Sequence, residues 1–177
     1  MNNRKKIISA ESIQKRVKEL GKEINRDLQG KELLVIGILN GAFIFLADLV
    51  RQIDIPIQID FIRVASYGSS TDSSQTIQFT KDIEIPIENQ EILLVEDIID
   101  TGRTMAWLQE YFQKRTSGNI HICALINKKE RRHEKIKIDY TGFDVSKGFL
   151  VGYGLDFAEQ FRHHQDIFHL DKETTLR

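Results

Sequence analysis

Three short stretches of this chain are apolar on both of the faces that a strand presents. They are Leu33 to Leu39, Ile92 to Ile98, in which Glu96 and Asp97 are the only polar residues, and Ile120 to Ile126. A strand apolar on both faces is covered on both faces, which is the condition of a parallel sheet with helices packed on either side. Helical patterns stand between these runs. Ile13, Val17, Leu20, Ile24 and Leu28 recur at helical spacing, with Ser9 placed to cap the start and Gly30 to end it. Ala42 to Val50 and Thr104 to Lys114 read as two further helices, the second with Trp107 and Leu108 turned to the core and Tyr111 beside them. Ile57 to Val64 reads as a strand, with further strand-like pieces at Ile136–Val145 and Phe149–Val151. Thr76 to Ile87 reads as a hairpin at a sheet edge, because Pro86 interrupts it. Alternation of strand and helix predicts an α/β fold with a mainly parallel sheet, and the 177 residues suit a single domain spanning 1–177.

Composition removes several functions. The formal net charge is -1, with no basic excess for displacing counterions from a nucleic acid. No apolar run approaches the ~20 residues of a membrane-spanning helix, and no apolar stretch follows the basic N-terminus as a signal peptide requires. A cytoplasmic protein with neither nucleic acid nor membrane as partner is expected. The one cysteine, Cys123, excludes an internal disulfide and reads as a buried apolar residue. The five histidines form no metal-ligand pattern; His163, His164 and His169 read as surface or interface residues.

Ligands of parallel sheets bind at the carboxyl ends of the strands. One such end carries Val95-Glu96-Asp97-Ile98-Ile99-Asp100-Thr101-Gly102-Arg103-Thr104. The strand delivers two adjacent carboxylates and then a third, Asp100, after which Thr101, Gly102 and Thr104 open a helix. Free amides and the positive dipole end at a helix N-terminus suit a phosphate. Gly102 lets the backbone approach the anion, the two threonine hydroxyls add donors, and Arg103 adds charge. Glu96 and Asp97 suit ribose hydroxyls and favour a divalent ion. Phosphate and sugar recognition in one turn points to a ribose 5-phosphate group. A second segment, from Ala65 to Gln75, is rich in Ser and Gly and reads either as a surface loop or as a lid over the site.

The ten residues from Val95 to Thr104 resemble the motif by which phosphoribosyltransferases of the hypoxanthine-guanine branch bind phosphoribosyl pyrophosphate (PRPP), and the resemblance extends roughly from Leu33 to Arg162. It implies a central parallel sheet flanked by helices with a small base-binding hood, Mg2+ as cofactor, and a homodimer or homotetramer. It implies transfer of phosphoribosyl from PRPP to hypoxanthine or guanine, giving IMP or GMP and pyrophosphate. Gly37 to Ala42 resembles the pyrophosphate loop, with Leu39, Asn40 and Gly41 as contacts. This loop often carries a non-proline cis peptide, which would precede Asn40. Many relatives have Lys or Arg where this chain has Asn40. Ser66-Tyr67 resembles the signature pair of the catalytic lid loop, and Arg162 the arginine near the pyrophosphate. By the same resemblance Asp100 is the general base, Lys128 donates to the purine 6-oxo group, Phe149 stacks on the purine, and Leu150 offers backbone groups to the base edge. Asp156, with Glu96 and Asp97, serves the metal. Two rivals remain: a nucleic-acid-binding regulator of the same fold, and an enzyme of the same fold acting on another base.

Overall fold

The computed structural model describes residues 4–67 and 76–170. Among these the chain forms strand β1 (Arg4–Ile8), helix α1 (Ala10–Asp27), β2 (Leu33–Leu39), α2 (Phe43–Val50), β3 (Ile57–Tyr67) and β4 (Thr76–Lys81). There follow β5 (Glu91–Ile99), α3 (Arg103–Gln113), β6 (Ile120–Lys128), β7 (Tyr140–Val145), β8 (Phe149–Val151) and β9 (Ile167–Leu170). The main sheet has the order β4-β3-β2-β5-β6-β7, with β4 alone antiparallel to its neighbour.

Alternation along the apolar strands divides the core into two layers. Leu33, Val35, Leu93, Val95, Cys123 and Leu125 point to one face, where α1 packs through Ile13, Val17, Leu20 and Ile24 and α2 through Phe45, Leu46 and Leu49. Leu34, Ile36, Ile92, Leu94, Ile122 and Ala124 point to the other, where Met105, Leu108 and Phe112 of α3 meet them. The expected parallel sheet covered on both faces is what forms. Helix α1 begins as expected, with the Ser9 side chain accepting from the Ser12 amide at 3.2 Å. It stops at Asp27, three residues before Gly30, which takes a left-handed φ of 77° in the following turn.

Trp107 faces the core as expected, with Tyr111 beside it: both are half-buried against the second layer, Trp107 stacking on Tyr111 at 5.6 Å with Phe79 of β4 5.0 Å from it. Two local expectations need correction. The expected hairpin pairs only as far as Lys81. Beyond it the chain is held by a side chain: Asp60 accepts from the amides of Glu84 and Ile85 at 2.7 and 3.1 Å. Residues 136–139 are not strand, and β7 starts at Tyr140.

A second sheet of three antiparallel strands, β1-β9-β8, joins the two ends of the described chain. It stands where the hood was expected. Its strands β1 and β9 were not anticipated.

The parallel strands run in the order β3-β2-β5-β6-β7. The chain direction of the crossovers therefore reverses between β2 and β5, and the crevice beyond the carboxyl ends of those two strands is the place such a sheet offers a ligand.

Candidate active site

Two turns flank that crevice. After β2 comes Asn40-Gly41-Ala42, and the Leu39–Asn40 peptide is cis, at the expected position. From the end of β5 come Glu96 to Thr104. The turns touch: a Cβ on Gly41 would stand 1.7 Å from Asp97 Oδ2, so only glycine lets this carboxylate lie over the loop. Strand alternation sends the two acids to different neighbours. Asp97 lies over Gly41, with its Oδ1 accepting from the Ile98 amide at 2.8 Å. Glu96 instead lines a cleft of about 190 Å³ with Ile98, Ile99, Asp100, Thr101, Gly102, Thr104 and Met105. Burial and the charge of Asp97 push the Glu96 carboxyl well above the usual range, and burial pushes Asp97 up as well. A buried acid pair of this kind holds a proton more readily than a solvated one. Hydroxyl donors or a cation would favour its charged form.

The N-cap of α3 is Gly102, at φ 85°, and it makes no side-chain cap. Asp100 therefore does not cap the helix. The first turn of α3 faces the cleft through Thr104, while Arg103 is exposed. The arrangement is that of an anion site: amides at a helix start, an open glycine and two threonines.

Register brings two charged side chains together. In the β5–β6 ladder Ile99 lies opposite Asn127, so the next residues, Asp100 and Lys128, stand side by side just beyond it, Lys128 still paired with Val145 of β7. Lys128 is buried, with Nζ 3.8 Å from Asp100 Oδ2 and 3.7 Å from Glu130 Oε2. Arg131 also pairs with Asp100 Oδ2, through Nε at 2.9 Å and Nη2. Asp100 Oδ1 is buried with no hydrogen-bond partner among the described residues.

Phe149, on β8, is 48% exposed, edge-on to Phe157 with ring centres 5.6 Å apart, so one ring face is open. Leu150 beside it is buried. Asp156 does not join Glu96 and Asp97 in a common cluster: its Oδ1 pairs with Arg162 Nη2 at 2.9 Å and its Oδ2 accepts from the Glu159 amide at 2.9 Å. Among the described residues no group of three or more His, Cys, Asp or Glu side chains is close enough to cage a metal. Asp156 thus stands apart from the acid pair, held by the Arg162 guanidinium. An acid pair still fits Mg2+, which keeps several waters and takes few protein carboxylates.

Arg162 reaches the turn after β2 through Gly154: its Nη1 donates to Gly154 O at 2.8 Å, and Gly154 packs so closely on that turn that a Cβ would stand 2.1 Å from Gly41 O. Its charge acts on Asp97. The Asn40 side chain supplies no charge of its own. Ser66 and Tyr67 end β3, where the backbone of Tyr67 is paired with Thr76. The rest of the expected lid, 68–75, lies outside the described residues.

Three contributors went unnoticed in the sequence. Arg131 and Arg132 sit in the run Lys128-Lys129-Glu130-Arg131-Arg132, which reads as a solvated charge cluster unless its closeness to a strand end is weighed. Gly154 carries no local signal, since its neighbour Gly41 is distant in sequence. The histidine reading holds in part: His164 Nε2 accepts from Arg4 Nη1 at 2.6 Å, linking the two ends of the described chain.

Comparison with known proteins agrees with this geometry. The family model for the phosphoribosyl transferase domain matches residues 4–158. The hypoxanthine-guanine phosphoribosyltransferase of Bacillus subtilis is 46% identical over 159 residues, 90% of this chain and 88% of that protein. That of Aquifex aeolicus is 44% identical over 93% of both chains. Among solved structures, a hypoxanthine-guanine phosphoribosyltransferase of Bacillus anthracis superposes with a TM-score of 0.90 at 39% identity, covering 94% of this chain and 98% of that one. A hypoxanthine phosphoribosyltransferase of Staphylococcus aureus gives 0.92 at 37% identity, covering 98% and 94%. This chain belongs to the phosphoribosyltransferase family, in its hypoxanthine-guanine branch.

Proposed function

We propose that this protein transfers the phosphoribosyl group of PRPP to hypoxanthine or guanine, releasing IMP or GMP and pyrophosphate, and that the residues above divide the work. The first turn of α3, with Thr101, Gly102, Arg103 and Thr104, holds the 5-phosphate by its amides, hydroxyls and dipole. Glu96 and Asp97 accept hydrogen bonds from the ribose hydroxyls. Leu39, Asn40 and Gly41 receive the pyrophosphate by their backbone, and Arg162 supplies the charge that Asn40 lacks.

The observation that carries the reading is the pair at the strand ends. A 6-oxopurine presents an acceptor, O6, beside N7. Lys128 donates to O6 and Asp100 takes the N7 proton, and the two side chains stand 3.8 Å apart. As purine N9 forms its bond to ribose C1, the bond from C1 to the pyrophosphate oxygen breaks and its electron pair leaves with pyrophosphate. The N7 proton goes to Asp100. The open face of Phe149 stacks on the purine and the Leu150 backbone meets its edge. Mg2+, when bound through Glu96, Asp97 or Asp156 with water between, neutralises the leaving pyrophosphate. Ser66 and Tyr67 begin the segment that we assign as the lid, which excludes water so that transfer outruns hydrolysis.

Lys128 as donor disfavours adenine, whose 6-amino group is itself a donor. A cytoplasmic location fits the lone buried Cys123 and the lack, among the described residues, of any helix long and apolar enough to cross a membrane. A homodimer or homotetramer is the assembly we expect, with exposed Phe43 and Ile59 as apolar surface for a second copy. The test is a spectrophotometric assay with PRPP, Mg2+ and each of hypoxanthine, guanine, xanthine and adenine. Turnover of hypoxanthine or guanine is expected. Turnover of adenine alone, or RNA or DNA binding without turnover of any base, would overturn the reading.

A further inference from the structure

Parallel strands have no hairpin to join their ends. The β5–β6 ladder stops at Ile99 opposite Asn127. Nothing in the sheet itself therefore fixes Asp100 against Lys128, although the reaction needs both at one edge of one base. Arg131 holds only the Asp100 carboxylate, whereas the Arg132 guanidinium spans the gap between the two strand ends. Arg132 donates from Nε to Asp100 O at 2.8 Å, and from Nη2 to Ile99 O at 2.9 Å, Asn127 Oδ1 at 2.7 Å and Lys128 O at 3.2 Å. Two of these acceptors belong to the end of β5 and two to the end of β6. Asn127 is itself buried and anchored, its Nδ2 donating to Asp144 Oδ1 at 2.7 Å, so the clamp reaches β7 as well. The Arg132 stem crosses Gly102 closely; a Cβ there would stand 3.1 Å from Arg132 Cδ.

We propose that Arg132 is the positioning residue that locks the ribose-phosphate turn to the purine-reading strand end. It acts through the Ile99 and Asp100 carbonyls and the Asn127 side chain, and touches neither substrate. The inference rests on the assignment of Asp100 and Lys128 to the base. The 5-phosphate part of the turn has its own tether, since the amides of His133 and Glu134 donate to Thr101 O at 3.0 and 3.2 Å. Loss of the clamp therefore falls on the placement of Asp100 relative to Lys128 and spares the phosphate end. Charge alone cannot replace it. The planar guanidinium serves acceptors on two segments at once, whereas a lysine is a point charge that reaches one of them.

The test uses Arg132→Lys, Arg132→Ala and Asn127→Ala, with wild type and Asp100→Ala alongside. Steady-state rates are measured with PRPP and base varied separately, PRPP affinity by calorimetry, and melting by fluorimetry. Arg132→Lys should lower kcat by about 100-fold, the usual effect of a misplacement near 1 Å, and raise KM for the base, with PRPP affinity within about threefold of wild type. Arg132→Ala should match it, showing that the retained charge rescues nothing. Asn127→Ala, which removes one acceptor, should move kcat the same way by less, and the Arg132→Lys/Asn127→Ala double variant should fall short of the product of the two effects. If either Arg132 variant melts far below wild type, Asn127→Ala carries the test by its kcat. An Arg132→Lys enzyme with wild-type kcat, or a loss confined to PRPP affinity, overturns the proposal. An Asp100→Ala enzyme with wild-type turnover instead overturns the assignment of Asp100, and so separates the two failures.

Discussion

Gly41→Ala puts the contact between the two ligand-binding turns to a direct test. Gly41 has no positive φ, so alanine fits its backbone, and the substitution adds one methyl group. That methyl would stand 1.7 Å from Asp97 Oδ2, 2.4 Å from Cγ and 3.0 Å from Oδ1. Ordinary contacts lie near ~3.5 Å, so the carboxylate must retreat by about 1.5–2 Å. It cannot do so and keep the 2.8 Å bond from the Ile98 amide. Loss of a hydrogen bond to a charged group costs about 1.5–3 kcal/mol. In a chain of this size each kcal/mol lowers Tm by roughly 2–4 °C. The catalytic loss is larger, because a group displaced by about 1 Å from its productive position can cost ~100-fold in rate. Initial rates with PRPP varied at saturating hypoxanthine should show kcat/KM for PRPP reduced about 100-fold, with Tm lowered by several degrees. Gly30→Ala is the control. Its Cβ meets nothing within 4 Å, but its φ of 77° is left-handed, so it should lose about 1–2 kcal/mol of stability and no activity. A Gly41→Ala enzyme with kcat/KM for PRPP within threefold of wild type would refute the reasoning, since Asp97 would then be free to sit elsewhere.

Three further outcomes follow from the same geometry. Asp100→Ala should cut turnover by ~10²–10⁴-fold, the usual share of acid–base catalysis, while calorimetry finds PRPP still bound; unchanged turnover would remove Asp100 as the base. Phe149→Ala should raise KM for hypoxanthine by roughly 2- to 10-fold, from the ~0.5–1.5 kcal/mol of an aromatic stack, and leave KM for PRPP alone; equal changes in both would point to a folding defect. Asp60 gives a stability prediction. Burial would raise its carboxyl, but the amides of Glu84, Phe61 and Ile85 and the Lys81 ammonium outweigh this and hold it below the usual range. A lowered folded value contributes stability above the unfolded value of ~3.9, and that contribution disappears as pH falls through the folded value. Asp60→Asn should therefore melt well below wild type at pH 6, and the gap should narrow as the pH falls below about 4; a gap independent of pH would show that ionisation of Asp60 contributes nothing to stability.

The parts of this molecule that were legible in the sequence are those whose physics is local. A strand buried on both faces must be apolar at consecutive positions, so β2, β5 and β6 declare themselves. A phosphate site built from consecutive amides at a helix start needs its glycine and threonines in one short run, so Glu96 to Thr104 declares itself too. The small sheet does not. β1 is Arg4-Lys5-Lys6-Ile7-Ile8, with only Ile8 buried, and its partner β9 pairs Arg4 with Leu170. Five residues with one buried side chain show no periodicity, and a basic tail is the simpler reading until the partner strand is known.

The base end of the site shows why the rest was hidden. Phosphate recognition asks for one continuous segment; recognition of a purine edge asks for groups from several. Asp100 follows β5, Lys128 ends β6, Phe149 starts β8, and Asp156 with Arg162 follows the turn at Gly154. Each is a single ordinary residue in its own stretch of chain. What makes them a site is the sheet order, which puts β5 next to β6, and the register, which lets Asp100 and Lys128 leave the ladder together. Both are set by burial of the apolar faces, with no reference to the ligand. A one-residue slip of β6 would turn Lys128 to the other side of the sheet and, with it, every buried side chain of that strand. The same packing that stabilises the core therefore fixes on which side of the sheet Lys128 stands, while Arg132 and its four acceptors bridge the two strands beyond the last pair of the β5–β6 ladder.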